Sequence, residues 1–282
     1  MATLLKGGPV AQAICEEIEK NQARLAQAGI VPTLAIVRVG EHPSDLAYER
    51  GATKRAEKVG VQVKKFLLPA DVPQETLVQT LEEINGDGSI HGCLMFRPLP
   101  PHLDSVAVCQ TLDPEKDVDA ITVGSMGGLL ARLEMGYPPC TPTACLELLR
   151  FYHIPMEGQK VAVVGKSMTV GLPTALLMMN EEATVSVCHT RKLCQQADIV
   201  ISAAGCAGLI KADYVRPGQV VVDVGVNVGK DGVMRGDAAF EEVEPIVKAI
   251  TPVPGGVGAI TSTVLMAHVV EAAMRQNGLK EQ

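Results

Sequence analysis

The stretch Lys160-Val161-Ala162-Val163-Val164-Gly165-Lys166-Ser167-Met168-Thr169-Val170-Gly171 carries Gly-Lys-Ser at the end of an apolar run. A triphosphate loop would need Gly-x4-Gly-Lys-Ser/Thr. Counting back from Gly165, the first glycine should stand at 160, but Lys160 is there, inside the run. The loop is too short to wrap a triphosphate. A dinucleotide turn fits better: a strand over 160–164 reaches Gly165, and a helix follows from about Val170. A pyrophosphate would lie at that helix N-terminus, held by backbone N–H groups and the helix dipole. Gly165 and Gly171 would allow close approach. The spacing is not a strict Gly-x-Gly-x-x-Gly, so a strand-to-helix turn with no ligand stays open as the alternative.

Working outward, further strands read at 183–188, 197–205 and 219–225. In NAD sites an acid ending the second strand takes the ribose 2′-hydroxyl. Here that strand ends in Cys188-His189-Thr190-Arg191-Lys192, with two cations and no acid. Arg191, Lys192 and Lys166 would attract a 2′-phosphate. The pattern points to NADP, with NAD as the alternative cofactor and a solvated basic turn as the bland explanation.

Toward the N-terminus the same alternation continues. Helices are expected over 10–25, 44–59 and 73–85, and strands over 33–40, 61–68 and 90–96. Residues 97–128 are rich in Pro, Gly and Asp and read as loops. A helix over 141–152 follows, with Thr141 as its N-cap ahead of Pro142. Alternating strands and helices imply parallel sheets covered by helices. The expected class is α/β with two domains, each a mostly parallel sheet with flanking helices. The C-terminal one is Rossmann-like, and the boundary falls near 140–150.

Composition narrows the function. The chain has 282 residues, is 47% hydrophobic and carries a net charge of −7. That charge argues against nucleic acid and against a basic membrane-binding face. No apolar run approaches the ~18 residues a membrane span needs. Eight scattered cysteines, without CxxC or metal-ligand spacing, read as reduced thiols in a cytoplasm, and no metal is expected. The start, with acids arriving before any apolar core, does not read as a signal peptide.

Five segments together resemble one family: "PEKDVDAIT" (114–122), "PCTPTACLELL" (139–149), "VVGKSMTVGLP" (163–173), "VDVGVN" (222–227) and "TPVPGGVGAIT" (251–261). Their order and spacing resemble the methylenetetrahydrofolate dehydrogenase/cyclohydrolase family over nearly the whole chain. The resemblance implies a folate-binding catalytic domain over 1–142, joined by a C-terminal helix at about 262–282, and a Rossmann-like NAD(P)-binding domain over 143–261. It implies oxidation of 5,10-methylenetetrahydrofolate to the methenyl form, tetrahydrofolate derivatives as partners, and a homodimer through the dinucleotide domain. Many members then hydrolyse the product to 10-formyltetrahydrofolate.

Residue by residue, Tyr48 matches the family's tyrosine that offers a flat face to the aminobenzoate ring. Asp119 matches its pterin-binding acid, since a carboxylate accepts two hydrogen bonds from an aminopyrimidinone edge. Asp117 and Glu115 read as solvated or loop-bracing. Pro254, Gly255 and Gly256 would bring backbone close to the substrate. Gly165, Lys166, Ser167, Gly171, Thr190, Arg191, Lys192, Gly205 and Val226 are the expected cofactor residues.

Two departures stand out. Members with cyclohydrolase activity read Tyr-x-x-x-Lys, but Ala52 holds the lysine position here. Lys54 lies about 200° further round the helix, and Arg55, though back on the Tyr48 face, makes a poor base. The family's Gln partner of that lysine is Phe96 here, followed by Arg97. Loss of both partners predicts a dehydrogenase with weak or absent cyclohydrolase activity. The alternatives are a bifunctional enzyme in which Arg55 and Arg97 compensate, and a catalytically dead folate- or dinucleotide-binding protein. Ala120, where the family has Gly, and Ala259, where it has Pro, put fine geometry in doubt.

Overall fold

A computed structural model describes residues 1–279. The chain forms two compact units, one of Met1–Gln12 and Pro139–Thr261, the other of Ala13–Pro138 and the chain from Ser262 onward.

The first unit is built on a six-stranded, wholly parallel sheet. Its order is Thr3–Leu4, Ala249–Ile250, Val220–Asp223, Ile199–Ser202, Lys160–Val164, Thr184–Cys188. The central strands are buried along nearly their whole length. They are therefore continuous apolar runs and do not alternate with polar residues. Val164, Val200, Val221 and Ile250 pack with Cys194, Ile210 and Val243 into one core. The chain reverses direction across the sheet at Lys160–Val164, which pairs with Thr184–Cys188 on one side and Ile199–Ser202 on the other. In doubly wound folds that switch point is where ligands bind, outside the carboxyl ends of the strands.

Four expectations need correction here. Residues 1–12 were expected with the folate domain and the division at 142/143. Instead Thr3–Leu4 pairs with Ala249–Ile250 as the edge of the six-stranded sheet, and the division falls at 138/139. A two-residue strand has no periodicity to reveal it. The helix Cys140–Phe151 has Pro139, not Thr141, at its N-cap. The strand expected over 197–205 stops at Ser202, because the next residues turn away to meet a carboxylate described below.

The second unit has a three-stranded parallel sheet ordered Gln62–Leu68, Thr33–Val39, Gly92–Met95. On one face Ala35, Val37, Cys93 and Met95 pack against Leu77, Leu81 and Ile84 of the helix Gln74–Gly86. These three side chains are fully buried, and each contributes about 2 kcal/mol. The helix Pro43–Val59 has Pro at its start and ends at Gly60, whose φ of 73° suits a left-handed cap. It buries Glu49, Ala52, Ala56 and Val59, one helical stripe.

The helix Thr261–Gln276 belongs to this unit. Its His268 Nδ1 lies 2.9 Å from the Val118 carbonyl, and Gln276 Nε2 donates to the His91 and Glu115 carbonyls. Of the helix expected over 262–282, positions 280–282 lie outside the described residues. Helices Ser105–Thr111 and Val123–Ala131 occupy a stretch that reads as loop. Among the described residues, no helix is long and apolar enough to cross a membrane.

Candidate active site

In the first unit the expected cofactor residues all follow the carboxyl ends of parallel strands. Gly165–Gly171 follows Lys160–Val164, Thr190–Lys192 follows Thr184–Cys188, Gly205 follows Ile199–Ser202, and Val226 follows Val220–Asp223. Pro254, Gly255 and Gly256 follow the neighbouring strand Ala249–Ile250.

The Gly165 turn is shaped by absent side chains. Gly165 has φ 128°, and a Cβ there would sit 2.3 Å from the Ala203 carbonyl oxygen. A Cβ on Gly171 would sit 2.3 Å from the Gly165 carbonyl oxygen. Neither position tolerates another residue, because backbone packs directly against backbone at both. Ser167 Oγ accepts from the N–H groups of Val170 and Gly171, both at 3.2 Å, and so caps the helix Gly171–Asn180. The two N–H groups expected to meet a pyrophosphate thus have a protein acceptor, and the Ser167 hydroxyl keeps its proton to donate. Lys166, Ser167, Thr190, Lys192 and Val226 are exposed. Arg191 is exposed too, but it pairs with Asp213. These residues fit NADP: a tight strand-to-helix turn whose glycines let backbone pack on backbone, exposed Lys166 and Ser167 at a helix N-terminus, and cations beside the second strand in place of an acid.

Two buried acids brace the loops of this unit; Asp223 lies within the segment "VDVGVN", and Asp237 lies in none of the five family segments. Asp223 accepts from the N–H groups of Gly225, Asp237 and Ala238. Burial pushes its carboxyl up to about 6, against those three hydrogen bonds. Asp237 is fully buried and accepts from Ala204, Gly205 and Cys206 N–H, from Ser202 Oγ and from Asn227 Nδ2. The available signal is that each acid sits one or two residues from a glycine, Gly225 or Gly236, whose missing side chain makes room for a carboxylate.

Beyond the short strand Ala249–Ile250, Gly7 N–H donates to the Gly255 carbonyl at 2.8 Å. A Cβ on Gly7 would lie 2.1 Å from the Gly256 carbonyl oxygen. Gly255 has φ 101° and is exposed.

In the second unit, Tyr48 and Phe96 come together. Their rings stand edge to face with centroids 5.9 Å apart. Tyr48 is 38% exposed, while Ala52, one turn further on, is 1% exposed. The helix is held by its next residue, Glu49, which is buried. Glu49 takes Arg38 Nε on one oxygen and Lys65 Nζ on the other, both at 2.8 Å. Burial pushes its carboxyl up, but the hydrogen bonds and charges of Lys65 and Arg38 outweigh this and hold it below the usual value. The sequence signal for this cluster is an Arg within the apolar run "AIVRV" (35–39). Arg55 Nη1 lies 3.9 Å from Cys15 Sγ, and Arg97 is exposed.

The Asp119 loop is braced by its neighbours. Asp117 is fully buried and accepts from Ile121 N, Thr122 N and Ser125 Oγ. Lys116 Nζ donates to the Ile84 and Asp87 carbonyls. Ala120 has φ 51°, a left-handed conformation that suits Gly better. Asp119 itself is half-buried.

Two family models match. Residues 5–119 match the tetrahydrofolate dehydrogenase/cyclohydrolase catalytic domain, and residues 139–277 match the NAD(P)-binding domain of the same family. The chain is 48% identical over 286 residues to the bifunctional protein FolD of Carboxydothermus hydrogenoformans, covering 99% of this chain and all of that one. It is similar to the crystal structure of the bifunctional FolD of Campylobacter jejuni, with TM-score 0.94 and 37% identity over 98% of this chain and 99% of the other. It is also similar to the Trypanosoma brucei dehydrogenase-cyclohydrolase complexed with NADP cofactor and inhibitor. There the TM-score is 0.90 and the identity 33%, over 97% and 98% of the two chains.

Proposed function

Because this chain belongs to the tetrahydrofolate dehydrogenase/cyclohydrolase family, we propose that it oxidises 5,10-methylenetetrahydrofolate to 5,10-methenyltetrahydrofolate with NADP as acceptor. The observation that carries this reading is the glycine-lined turn at the switch point, where Gly165 lies too close to the Ala203 carbonyl for any side chain. When bound, NADP supplies the carbon that accepts the hydride. The chain's own residues bind and align. Lys166, Ser167, Thr190, Arg191 and Lys192 take the phosphates, and Gly205 and Val226 the remaining cofactor surface. Tyr48, steadied by Phe96, stacks on the aminobenzoate ring. Asp119 accepts hydrogen bonds from the pterin edge. Pro254, Gly255 and Gly256 present backbone to the substrate. No protein base is required, because the folate nitrogens flanking the reacting carbon stabilise the product cation.

The test is NADPH absorbance after mixing the protein with methylenetetrahydrofolate and NADP, with NAD in parallel. No enzyme-dependent reduced cofactor in either would leave a binding protein and sink this reading.

Cyclohydrolase activity is weak or absent in this reading. A buried methyl at Ala52 and an aromatic ring at Phe96 offer no group to activate water. The second reading, a bifunctional enzyme, has in its favour the name of the Carboxydothermus relative. Loss of methenyltetrahydrofolate absorbance above the buffer rate would favour the second.

In this reading the chain is also a cytoplasmic homodimer through the dinucleotide unit, with no membrane or nucleic-acid partner. The exposed Val228, Val233 and Met234 on the two-stranded ribbon of that unit support a dimer, which light scattering would test.

A further inference from the structure

We propose that Asp237 is a positioning residue for the dinucleotide: it fixes the loop Ala203–Cys206 so that the loop receives an uncharged, hydrogen-bond-donating part of the cofactor. This rests on the reading of Gly205 as a cofactor residue.

Three consecutive N–H groups converge on this one side chain. Asp237 Oδ2 accepts from Ala204 at 2.7 Å and Gly205 at 3.1 Å, and Oδ1 accepts from Cys206 at 2.8 Å. Successive amides turned toward one point form an anion-binding concavity. In many nucleotide sites a phosphate fills such a concavity. Here the protein's own carboxylate fills it from behind. The loop's donors are spent, and a negative charge lies behind it, so a phosphate has nothing to gain there. What the loop can offer is carbonyl oxygens and the bare Cα of Gly205. Gly205 is exposed, has φ 64°, and has nothing within 4 Å of where a Cβ would stand. That surface suits a ribose hydroxyl or a carboxamide, whereas the Gly165–Gly171 turn keeps the Ser167 hydroxyl proton and the exposed Lys166 for the phosphates.

Asp237 also joins loops. Its other partners are Ser202 Oγ at 3.2 Å, at the end of one strand, and Asn227 Nδ2 at 3.0 Å, just after Val226. The acid therefore ties the loop holding Gly205 to the segment holding Val226. Its fit is tight, because a Cβ on Gly225 would lie 2.2 Å from Asp237 Oδ1. Asp237→Asn keeps the shape but turns an amide NH₂ toward donors, so at least one N–H loses its acceptor.

The experiment compares Asp237→Asn with the unaltered protein in KM for NADP, KM for methylenetetrahydrofolate and kcat at saturation. We expect KM for NADP to rise about tenfold or more, with kcat within about threefold and KM for the folate unchanged. An unchanged KM for NADP overturns the proposal. So does a parallel loss in kcat and both KM values, the pattern of general unfolding. Should the variant fail to fold, hydrogen exchange on the unaltered protein decides. Slow exchange at Ala204, Gly205 and Cys206 without NADP supports the proposal, and fast exchange there overturns it. Failure of the dehydrogenase reading would show separately, as no NADPH from the unaltered protein.

Discussion

The two parallel sheets present their functional residues in opposite ways. The six-stranded sheet offers backbone. Its loops carry glycines at 165, 171, 205, 255 and 256, and buried Asp237 and Asp223 hold loop amides in place. The three-stranded sheet offers side chains. Tyr48 projects from a helix that Glu49 pins to Arg38 and Lys65 on two strands, and Phe96 meets the Tyr48 ring edge-on. A site made of backbone fails when an atom is added, whereas a site made of side chains fails when one is removed. The two units should therefore answer to different kinds of substitution.

The largest effect expected is from Gly165→Ala. The new Cβ would stand 2.3 Å from a carbonyl oxygen at a φ of 128°. Strain and displacement together should cost about 3 kcal/mol of stability and at least about a hundredfold in kcat/KM for NADP. Thermal unfolding and NADP kinetics check both, and normal NADP use would erase the contrast between the sheets.

Next is Glu49→Ala, which leaves Arg38 buried without its partner. Breaking a buried pair should cost about 3 kcal/mol, at the low end of its class because Lys65 is partly exposed. KM for the folate should rise while KM for NADP holds. The paired replacement Arg38→Met with Glu49→Leu should recover most of the stability. Urea unfolding of the single and double variants separates the two.

A third effect is pH-dependent. Asp223 titrates at about 6 in the fold against an ordinary 3.8. Between these values the folded state holds more protons than the unfolded chain, so stability falls as pH rises. The contribution is fully present below about pH 4 and is lost as pH passes about 6, at up to about 1.4 kcal/mol per pH unit. The melting temperature of the unaltered protein relative to Asp223→Asn should climb from pH 7 to pH 5. A constant difference would mean that the acid stays ionised throughout.

The smallest effect concerns Arg191. Its exposed pair with Asp213 should be worth under 1 kcal/mol, so Asp213→Ala should barely move the melting temperature. Freed of its partner, Arg191 should lower KM for NADP a few-fold, while Arg191→Ala should raise it about tenfold. Equal effects on NAD would remove Arg191 from 2′-phosphate recognition.

Legibility followed the same division. The strands expected over 160–164 and 33–40 and the Gly165 turn could be read because buried parallel strands are apolar runs and close approach demands glycine. Thr3–Leu4 and Ala249–Ile250 could not, because two residues carry no period. The helix Val123–Ala131 was hidden by its glycines, of which Gly128 is required by the nearby Met135 carbonyl. Tyr48, Asp119, Ala52 and Phe96 came into view through family resemblance and not through pattern. Asp237 and Glu49 were missed because a charge that serves the protein's own interior has no spacing rule.

Of the eight cysteines, seven are buried, and Cys206 is the one at the surface. It sits at the end of the loop whose amides Asp237 gathers. A thiol-reactive dye should therefore attach once per native chain and eight times after denaturation. The single native label would be a built-in fluorescent reporter on that loop, with no cysteine to add and none to remove.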